Sequence, residues 1–210
     1  MVIRMPQILE KLFGSTYRPK CIRLFLLNPE RIFSFRDVAH RTKVRGAALR
    51  RELAALQSAA LVKRGVKIEE TAKTGAGKKN NLRRKRIEGW MLDRSFPLFA
   101  ELKLLMLNAA PVSKPSLLRR IRRLGRIKLV TLGGIFLQED TRLDLLVVGD
   151  GIKKGTFERL MRDVEAEVGK ELVYACLSTE EFTYRLGMYD RFVRDVLEAP
   201  HEHLLNKLGV

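Results

Sequence analysis

The sequence predicts an α+β protein with two modules, and two observations support this prediction. Apolar residues recur at helical spacing between residues 17 and 57, whereas strand-like and helix-like runs alternate after residue 125. Charge divides the 210-residue chain in a similar way. The net charge is +17, with 23 Lys+Arg and 8 Asp+Glu in residues 1–95 against 18 and 16 in residues 96–210. We therefore expect a basic domain over residues 1–95 and a near-neutral α/β domain over residues 96–210.

The excess of positive charge predicts a polyanionic partner. No run approaches the roughly 18 apolar residues that span a membrane, and the N-terminus lacks the pattern of a secretory signal. There are only two cysteines, Cys21 and Cys176, which excludes a disulfide scaffold or a Cys-rich zinc site. We expect both to be buried free thiols of a cytoplasmic protein.

The first module is predicted to begin with three helices. Residues 17–28 form an amphipathic pattern that stops at Asn28-Pro29, and Ser34 is a candidate N-cap for a short helix over residues 35–42. After a brief break, residues 45–57 predict a third helix. Its apolar line consists of Leu49, Leu53 and Leu56.

A short helix, a tight turn and a second helix with small and arginine residues on its outer faces is the geometry of a helix-turn-helix. Small residues let the backbone approach DNA, and arginine can bind guanine O6 and N7 with two hydrogen bonds. The alternative is an ordinary amphipathic helix whose arginines are solvated. The candidate DNA-binding residues of this helix are Arg45, Gly46, Ala47, Arg50 and Arg51.

A β-hairpin is predicted next. One strand carries Val62, Val66 and Ile68, the other carries Ile87 and Trp90, and a Gly- and Lys-rich loop joins them. We expect its basic residues to follow a phosphate backbone or enter a minor groove, although a solvated charge run or a linker is the alternative. These candidates are Lys63, Arg64, Lys73, Lys78, Lys79, Arg83, Arg84, Lys85 and Arg86.

The stretch LFLLNPERIFSFRDVAHRTKVRGAALRRELAALQSAALVKRG resembles the winged helix-turn-helix regulators of bacteria and archaea. Two positions depart from that pattern: Arg45 replaces the usual Ser or Thr cap, and Ala60 replaces the usual Gly. The resemblance implies a transcriptional regulator that binds double-stranded DNA. Because operators with two-fold symmetry are read by dimers, a homodimer is the expected form.

The second module is predicted to alternate strands with helices. Two helix candidates come first, followed by a strand ending in a Gly-Gly turn and a second strand ending at Asp150. A long amphipathic helix, a third strand, a helix capped by Ser178 and a last helix complete the pattern. The approximate spans are 98–110, 116–125, 127–136, 144–150, 155–170, 171–178, 178–186 and 188–198.

The segment LGGIFLQEDTRLDLLVVGD resembles the minimal nucleotidyltransferase fold, with Gly133 and Gly134 at the phosphate turn and Asp144 as a metal-binding carboxylate. The first carboxylate of that family should lie two residues earlier, where this chain has Arg142, which could pair with Asp144. No acid lies between residues 172 and 178 either. The resemblance therefore implies a vestigial nucleotide site with no catalysis, no cofactor and no metal. Only Glu139 and Asp140 could substitute as metal ligands.

We expect a DNA-binding transcriptional regulator whose second module serves dimerisation, partner binding or sensing. The sequence does not identify a small-molecule effector. His201-Glu202-His203 lacks a third metal ligand and predicts a surface tail. One alternative is an active nucleotidyltransferase recruited to nucleic acid. The other is an RNA-binding protein, which is disfavoured because no aromatic cluster lies among the basic residues of the hairpin.

Overall fold

The computed structural model describes residues 5–72, 82–109 and 112–210, with side chains over 8–69, 86–109 and 112–210. These parts of the chain contain nine α-helices and two β-sheets, so the predicted mixture of helices and strands is confirmed. The chain divides into two compact units. One is Glu10–Leu105, and the other joins the N-terminal segment up to Leu9 with Met106–Val210. Within the described ranges, no helix has the length and apolar character needed to cross a bilayer.

The first unit contains the predicted three helices and hairpin, with one further helix overlapping each end of the unit. The elements are α1 (Met5–Leu12), α2 (Arg18–Leu26), α3 (Phe35–Thr42), α4 (Gly46–Ser58), β1 (Val62–Ala72), β2 (Leu82–Leu92) and α5 (Phe99–Asn108). The start of α3 is the predicted one. Ser34 Oγ accepts a hydrogen bond from the Asp37 N–H at 3.1 Å, and Asp37 Oδ2 accepts one from the Ser34 N–H at 2.9 Å. This reciprocal pair is a capping box.

Two residues with left-handed backbone conformation lie on either side of α4, one at the end of α3 and one at the end of α4. Lys43 (φ +59°) ends α3, and Ala60 (φ +57°) follows α4. The N–H of Leu61 donates to the Leu56 carbonyl and that of Ala60 to the Gln57 carbonyl, both at 3.0 Å. A helix end of this type usually has glycine at the left-handed position. Ala60 therefore adopts the turn despite its Cβ.

The hairpin is joined to the helices by a third extended segment. β1 and β2 pair antiparallel from Val62↔Leu92 to Ala72↔Leu82. Phe33 forms an isolated bridge with Trp90, in which each N–H donates to the other residue's carbonyl at 2.8 Å. The backbones of the two segments lie close together at this bridge, since a Cβ at Gly89 would lie 2.3 Å from the Phe33 carbonyl oxygen.

The second unit is a four-stranded sheet with helices on both faces. The strand order is β5-β4-β3-β6; β4 and β5 are parallel and the other neighbours are antiparallel. Side chains that alternate along β3 and β4 enter two separate apolar cores, which is the pattern of a sheet buried on both faces. The elements are α6 (Lys114–Arg122), β3 (Arg126–Leu132), β4 (Leu145–Asp150), α7 (Lys154–Val168), β5 (Tyr174–Leu177), α8 (Thr179–Gly187), α9 (Arg191–Glu198) and β6 (Glu202–Asn206).

Two expectations about the second unit were wrong. The segment at His201–His203 is not a surface tail, because Glu202–Asn206 forms β6 and pairs with β3. His203 Nδ1 also lies 3.0 Å from Thr131 Oγ1, within hydrogen-bonding distance. The short, mixed sequence EHLLN did not indicate this edge strand. The second wrong expectation concerns Cys176, which was expected to be buried and is exposed on β5.

Cys21 is buried as expected. Burial, and to a smaller extent the negative charge of Glu52, raises the pKa of the Cys21 thiol to about 12. The thiol therefore stays protonated and acts as a small apolar side chain of the first unit.

Gly89→Ala should destabilise the first unit by about 2 kcal/mol or more, because the new Cβ meets backbone rather than a flexible side chain. Gly65→Ala is the matched control, since Gly65 lies directly opposite in the hairpin and its Cβ would meet only the side chains of Ile32 and Met91 at 3.1–3.2 Å. Urea unfolding can be followed by the fluorescence of Trp90, the only tryptophan. Equal losses for the two variants would contradict this account.

Candidate nucleic-acid interface

All five predicted residues of α4 lie on its exposed surface. Arg45 is the N-cap residue, and its backbone is extended. Its side chain makes no capping hydrogen bond, since a guanidinium has no acceptor atom to offer the helix N–H groups. Gly46 has φ +60° and a Cβ there would meet open space. The remaining three, Ala47, Arg50 and Arg51, are exposed along the first two turns. The N-terminal half of α4 thus presents small residues and cations together.

These arginines are not neutralised within the part of the chain that the structure describes. Neither Arg45 nor Arg51 pairs with a carboxylate there, and Arg50 lies over the ring of Phe35 with 6.0 Å between the guanidinium carbon and the ring centroid. A cation over an aromatic face keeps its charge and its hydrogen-bond donors. The face is therefore available to an anionic partner.

The opposite side of α4 is anchored by an acid that the sequence analysis missed. Glu52 is 7% exposed and accepts hydrogen bonds from Ser15 Oγ at 2.6 Å and from Arg18 Nε at 2.8 Å. The signal was present in the sequence, because Glu52 is the only acid in α4 and directly precedes Leu53 of the buried line. The contact joins the middle of α4 to the beginning of α2.

The base of the hairpin carries both neutralised and free cations. Lys63, a predicted contact, pairs with Asp93 at 3.2 Å. Arg64, also predicted, forms no ion pair among the described side chains and stacks over Trp90 with its guanidinium carbon 3.9 Å from the centroid of the indole ring. Arg64 is therefore held in position without loss of its charge.

Folding creates an arginine–aromatic row that the sequence did not reveal. The rings of Phe35 and Trp90 lie 6.5 Å apart, Arg50 lies over the first ring and Arg64 over the second. Trp90 Nε1 also donates a hydrogen bond to Gln57 at 3.2 Å. The sequence analysis expected no aromatic cluster among the basic residues of the hairpin, whereas the structure places Phe35 of α3 beside Trp90. The pair was not foreseen because the two residues are 55 positions apart in the chain.

Seven of the predicted basic residues fall between residues 73 and 86. Lys73, Lys78 and Lys79 lie outside the described residues. Arg83, Arg84 and Lys85 belong to β2, and Arg86 is exposed opposite Ile68. The strand register places Glu70 opposite Arg84 and Glu69 opposite Lys85.

The structure brings Gly133, Gly134 and Asp144 together. Asp144 Oδ1 accepts a hydrogen bond from the Ile135 N–H at 2.8 Å, and Oδ2 accepts one from the Val173 N–H at 2.7 Å. A Cβ at Gly134 would lie 2.0 Å from Asp144 Oδ1. Each carboxylate oxygen therefore bonds the protein's own backbone, and the Gly-Gly turn wraps around the carboxylate.

Arg142 does not pair with Asp144. Its Nη1 donates a hydrogen bond to Asp195 Oδ2 of α9 at 2.8 Å, and Arg142 lies in the loop before β4 rather than on the strand. The described residues contain no group of three or more His, Cys, Asp and Glu side chains that could hold a metal ion. Glu139 and Asp140 are both exposed in the loop before β4.

Comparison with family models, with curated proteins and with solved structures found no match to this chain.

Asp144→Ala should lower the free energy of unfolding of the second unit by about 1–3 kcal/mol, because the N–H groups of Ile135 and Val173 lose a charged acceptor. Unfolding in urea followed by circular dichroism measures this loss. Asp140→Ala is the control, since this exposed carboxylate of the same loop should change stability by less than about 0.5 kcal/mol. If Asp144→Ala unfolded at the same urea concentration as the wild type, Asp144 would have no structural role in the turn.

The first unit should lose stability in acid through Asp37. Burial alone would raise the pKa of this carboxyl, but hydrogen bonds from Lys67 and Ser34 outweigh it and lower the pKa below its usual value. A lowered folded-state pKa gives stability that is present above the unfolded pKa of about 3.9 and is lost as the pH falls through the folded value.

In urea unfolding between pH 6 and pH 2, Asp37→Asn should therefore lose less stability than the wild type over the same interval. Glu101→Gln, an exposed carboxyl of α5 outside this contact, should reproduce the wild-type profile. A variant at Asp37 that keeps the full acid-induced loss would show that another group is responsible.

Proposed function

We propose that this protein is a DNA-binding transcriptional regulator of the winged helix-turn-helix type. In this proposal α4 enters the major groove and the basic hairpin lies along the phosphate backbone. One observation carries the proposal. The leucine line of α4 is 0–3% exposed and fixes the helix on the core, while Arg45, Arg50 and Arg51 project from it without carboxylate partners among the described residues.

The N-terminal half of α4 suits contact with DNA for two further reasons. Its free N–H groups and the positive end of the helix dipole favour a nearby phosphate. Gly46 and Ala47 add almost no bulk, so the backbone can approach the groove, and the methyl of Ala47 can contact a thymine methyl. Arg50 and Arg51, about one turn further along the helix, can then reach guanine edges.

The cations of the hairpin would supply most of the affinity and little of the specificity. Phosphate contacts release counterions, so binding should weaken steeply as salt increases. Arg64 is the best-placed described residue for this role because stacking on Trp90 restricts its side chain before DNA arrives. Lys63, which already pairs with Asp93, should contribute less.

The second unit is proposed to be a degenerate nucleotidyltransferase-like domain used for dimerisation or sensing. The structural role of Asp144 supports this, because a carboxylate whose two oxygens accept backbone hydrogen bonds is a poor bridging ligand for metal and phosphate. An active enzyme remains the competing hypothesis. Mg²⁺-dependent nucleotide transfer that Asp144→Asn abolishes without unfolding the protein would favour it.

Selection of binding sites from random duplex DNA, at near-physiological salt, tests the proposal directly. We expect an enriched motif, with two half-sites about one helical turn apart if the protein binds as a dimer. Uniform retention of all sequences would contradict sequence-specific regulation. Stronger binding to structured RNA in competition would instead favour an RNA-binding role, for which the row of Phe35 and Trp90 offers stacking surfaces.

Two substitutions should separate base reading from phosphate binding. Arg50→Ala should weaken binding to the selected site by about 1–3 kcal/mol and relax the preference at one base pair. Lys79→Ala should weaken all duplexes about equally and reduce the salt slope by about one. Fluorescence anisotropy with labelled duplexes measures both effects.

The control for these measurements is Arg191→Ala, an 84% exposed arginine side chain on α9 of the other unit, which should bind as the wild type does. If Arg50→Ala lowered the affinity for every sequence to the same extent, α4 would not be the recognition helix.

A further inference from the structure

Three exposed arginines lie together at the C-terminal end of α6: Arg119, Arg122 and Arg123. We call these three residues the arginine face. A helix turns by about 100° per residue, so the three fall within roughly 100° of its circumference. The buried Leu117 and Ile121 lie on the opposite side and pack into an apolar core of the second unit. The packing of α6 therefore turns the arginine face outward.

The charge around α6 differs from that of the rest of its unit. Residues 114–128 contain seven basic residues and no acid, whereas residues 129–210 contain 10 basic and 15 acidic residues. One cation of α6 is neutralised from another element, because Arg120 Nη1 donates a hydrogen bond to Glu167 Oε1 of α7 at 2.9 Å. The arginine face has no such partner, since no carboxylate among the side chains that the structure describes pairs with it.

The end of a helix does not by itself account for three arginines. A cation in the last turn is favourable because it meets the negative end of the helix dipole. Like charges three or four residues apart repel each other, and Arg119 stands in this relation to both Arg122 and Arg123. An anionic partner would offset this repulsion by attracting all three guanidinium groups.

The surroundings of the arginine face indicate which kind of anion fits it. Residues 112–128 are all described, and none of their large apolar side chains is exposed. Protein interfaces have an apolar or aromatic centre, and helices that bind membranes bury an apolar side. A nucleic-acid backbone is bound instead through charge and hydrogen bonds to phosphate. Arginine suits phosphate because its planar guanidinium can donate two parallel hydrogen bonds.

We propose that the arginine face is a second DNA contact, which binds the phosphate backbone of a duplex without reading its sequence. The inference deepens the proposed function and rests on it, because duplex DNA is the polyanion that α4 is proposed to bind. The second unit then contributes affinity directly, while the sequence preference stays with α4.

Arg122→Gln/Arg123→Gln in the whole chain tests this contact. Each lost phosphate contact lowers the slope of log K against log salt concentration by about 0.9. The double variant should therefore lower the slope by about two and weaken binding to every duplex at least tenfold at about 0.1 M salt. Its preference for the selected motif over other sequences should equal that of the wild type. Fluorescence anisotropy with labelled duplexes over a range of salt concentrations measures both quantities.

Arg191→Gln/Arg194→Gln is the matched control. It removes two positive charges from exposed positions of α9 in the same unit, so the net charge of the protein changes equally, and it should keep the wild-type slope. Arg122→Lys/Arg123→Lys keeps the charge of the arginine face and should keep most of the slope. If the Gln variant of the arginine face bound duplexes with the affinity and slope of the α9 control, the proposal would be overturned.

The same measurements separate this inference from the proposed function. If selection yields no motif and Arg122→Gln/Arg123→Gln still lowers the slope, the arginine face stands as a sequence-independent duplex contact and the proposed function fails. If a motif is selected and the Gln variant binds as the α9 control does, the inference fails and the proposed function stands. A loss of affinity confined to structured RNA would also overturn the assignment of duplex DNA to this face.

Discussion

The orientation of α4 depends on the contacts of its inner face. Three leucines are buried, and beside them the Glu52 carboxylate is fixed by Ser15 and Arg18. Burying a carboxylate is unfavourable unless it is hydrogen-bonded and paired, so this acid strongly selects one rotation of the helix about its axis. That rotation directs the arginines of α4 outward. The surface proposed to bind DNA is thus a consequence of what the other side of the helix buries.

A similar constraint operates in the second unit, with a different result. The sequence analysis expected Asp144 to be a vestigial metal ligand, and both of its oxygens accept backbone hydrogen bonds. Gly134 has room for this carboxylate only because it lacks a Cβ. The Gly-Gly turn and the acid therefore support each other structurally. Arg142, two residues earlier, ties the same loop to α9 through Asp195.

Local signals predicted most elements of the fold. The Ser34 capping box and the Ser178 cap involve residues three apart, so their hydrogen bonds can be inferred from the sequence. The edge strand β6 was missed because its short, mixed sequence becomes a strand only by pairing with β3. The pairing of Arg142 was predicted wrongly for the same reason, since Asp195 lies 53 residues away. Cys176 was expected to be buried because its neighbours are apolar, yet β5 is an edge strand of the sheet.

The sequence by itself determined which residues are candidates for binding: the arginines of α4, the cations of the hairpin and the Gly-Gly turn with its acid. Periodicity places such residues on one side of an element, because that depends only on local backbone geometry. The tertiary structure decided which of them remain free. It paired Lys63 with Asp93, stacked Arg64 on Trp90 and closed the turn on Asp144. Those outcomes require partners distant in sequence, and only folding brings such partners within hydrogen-bonding or van der Waals range.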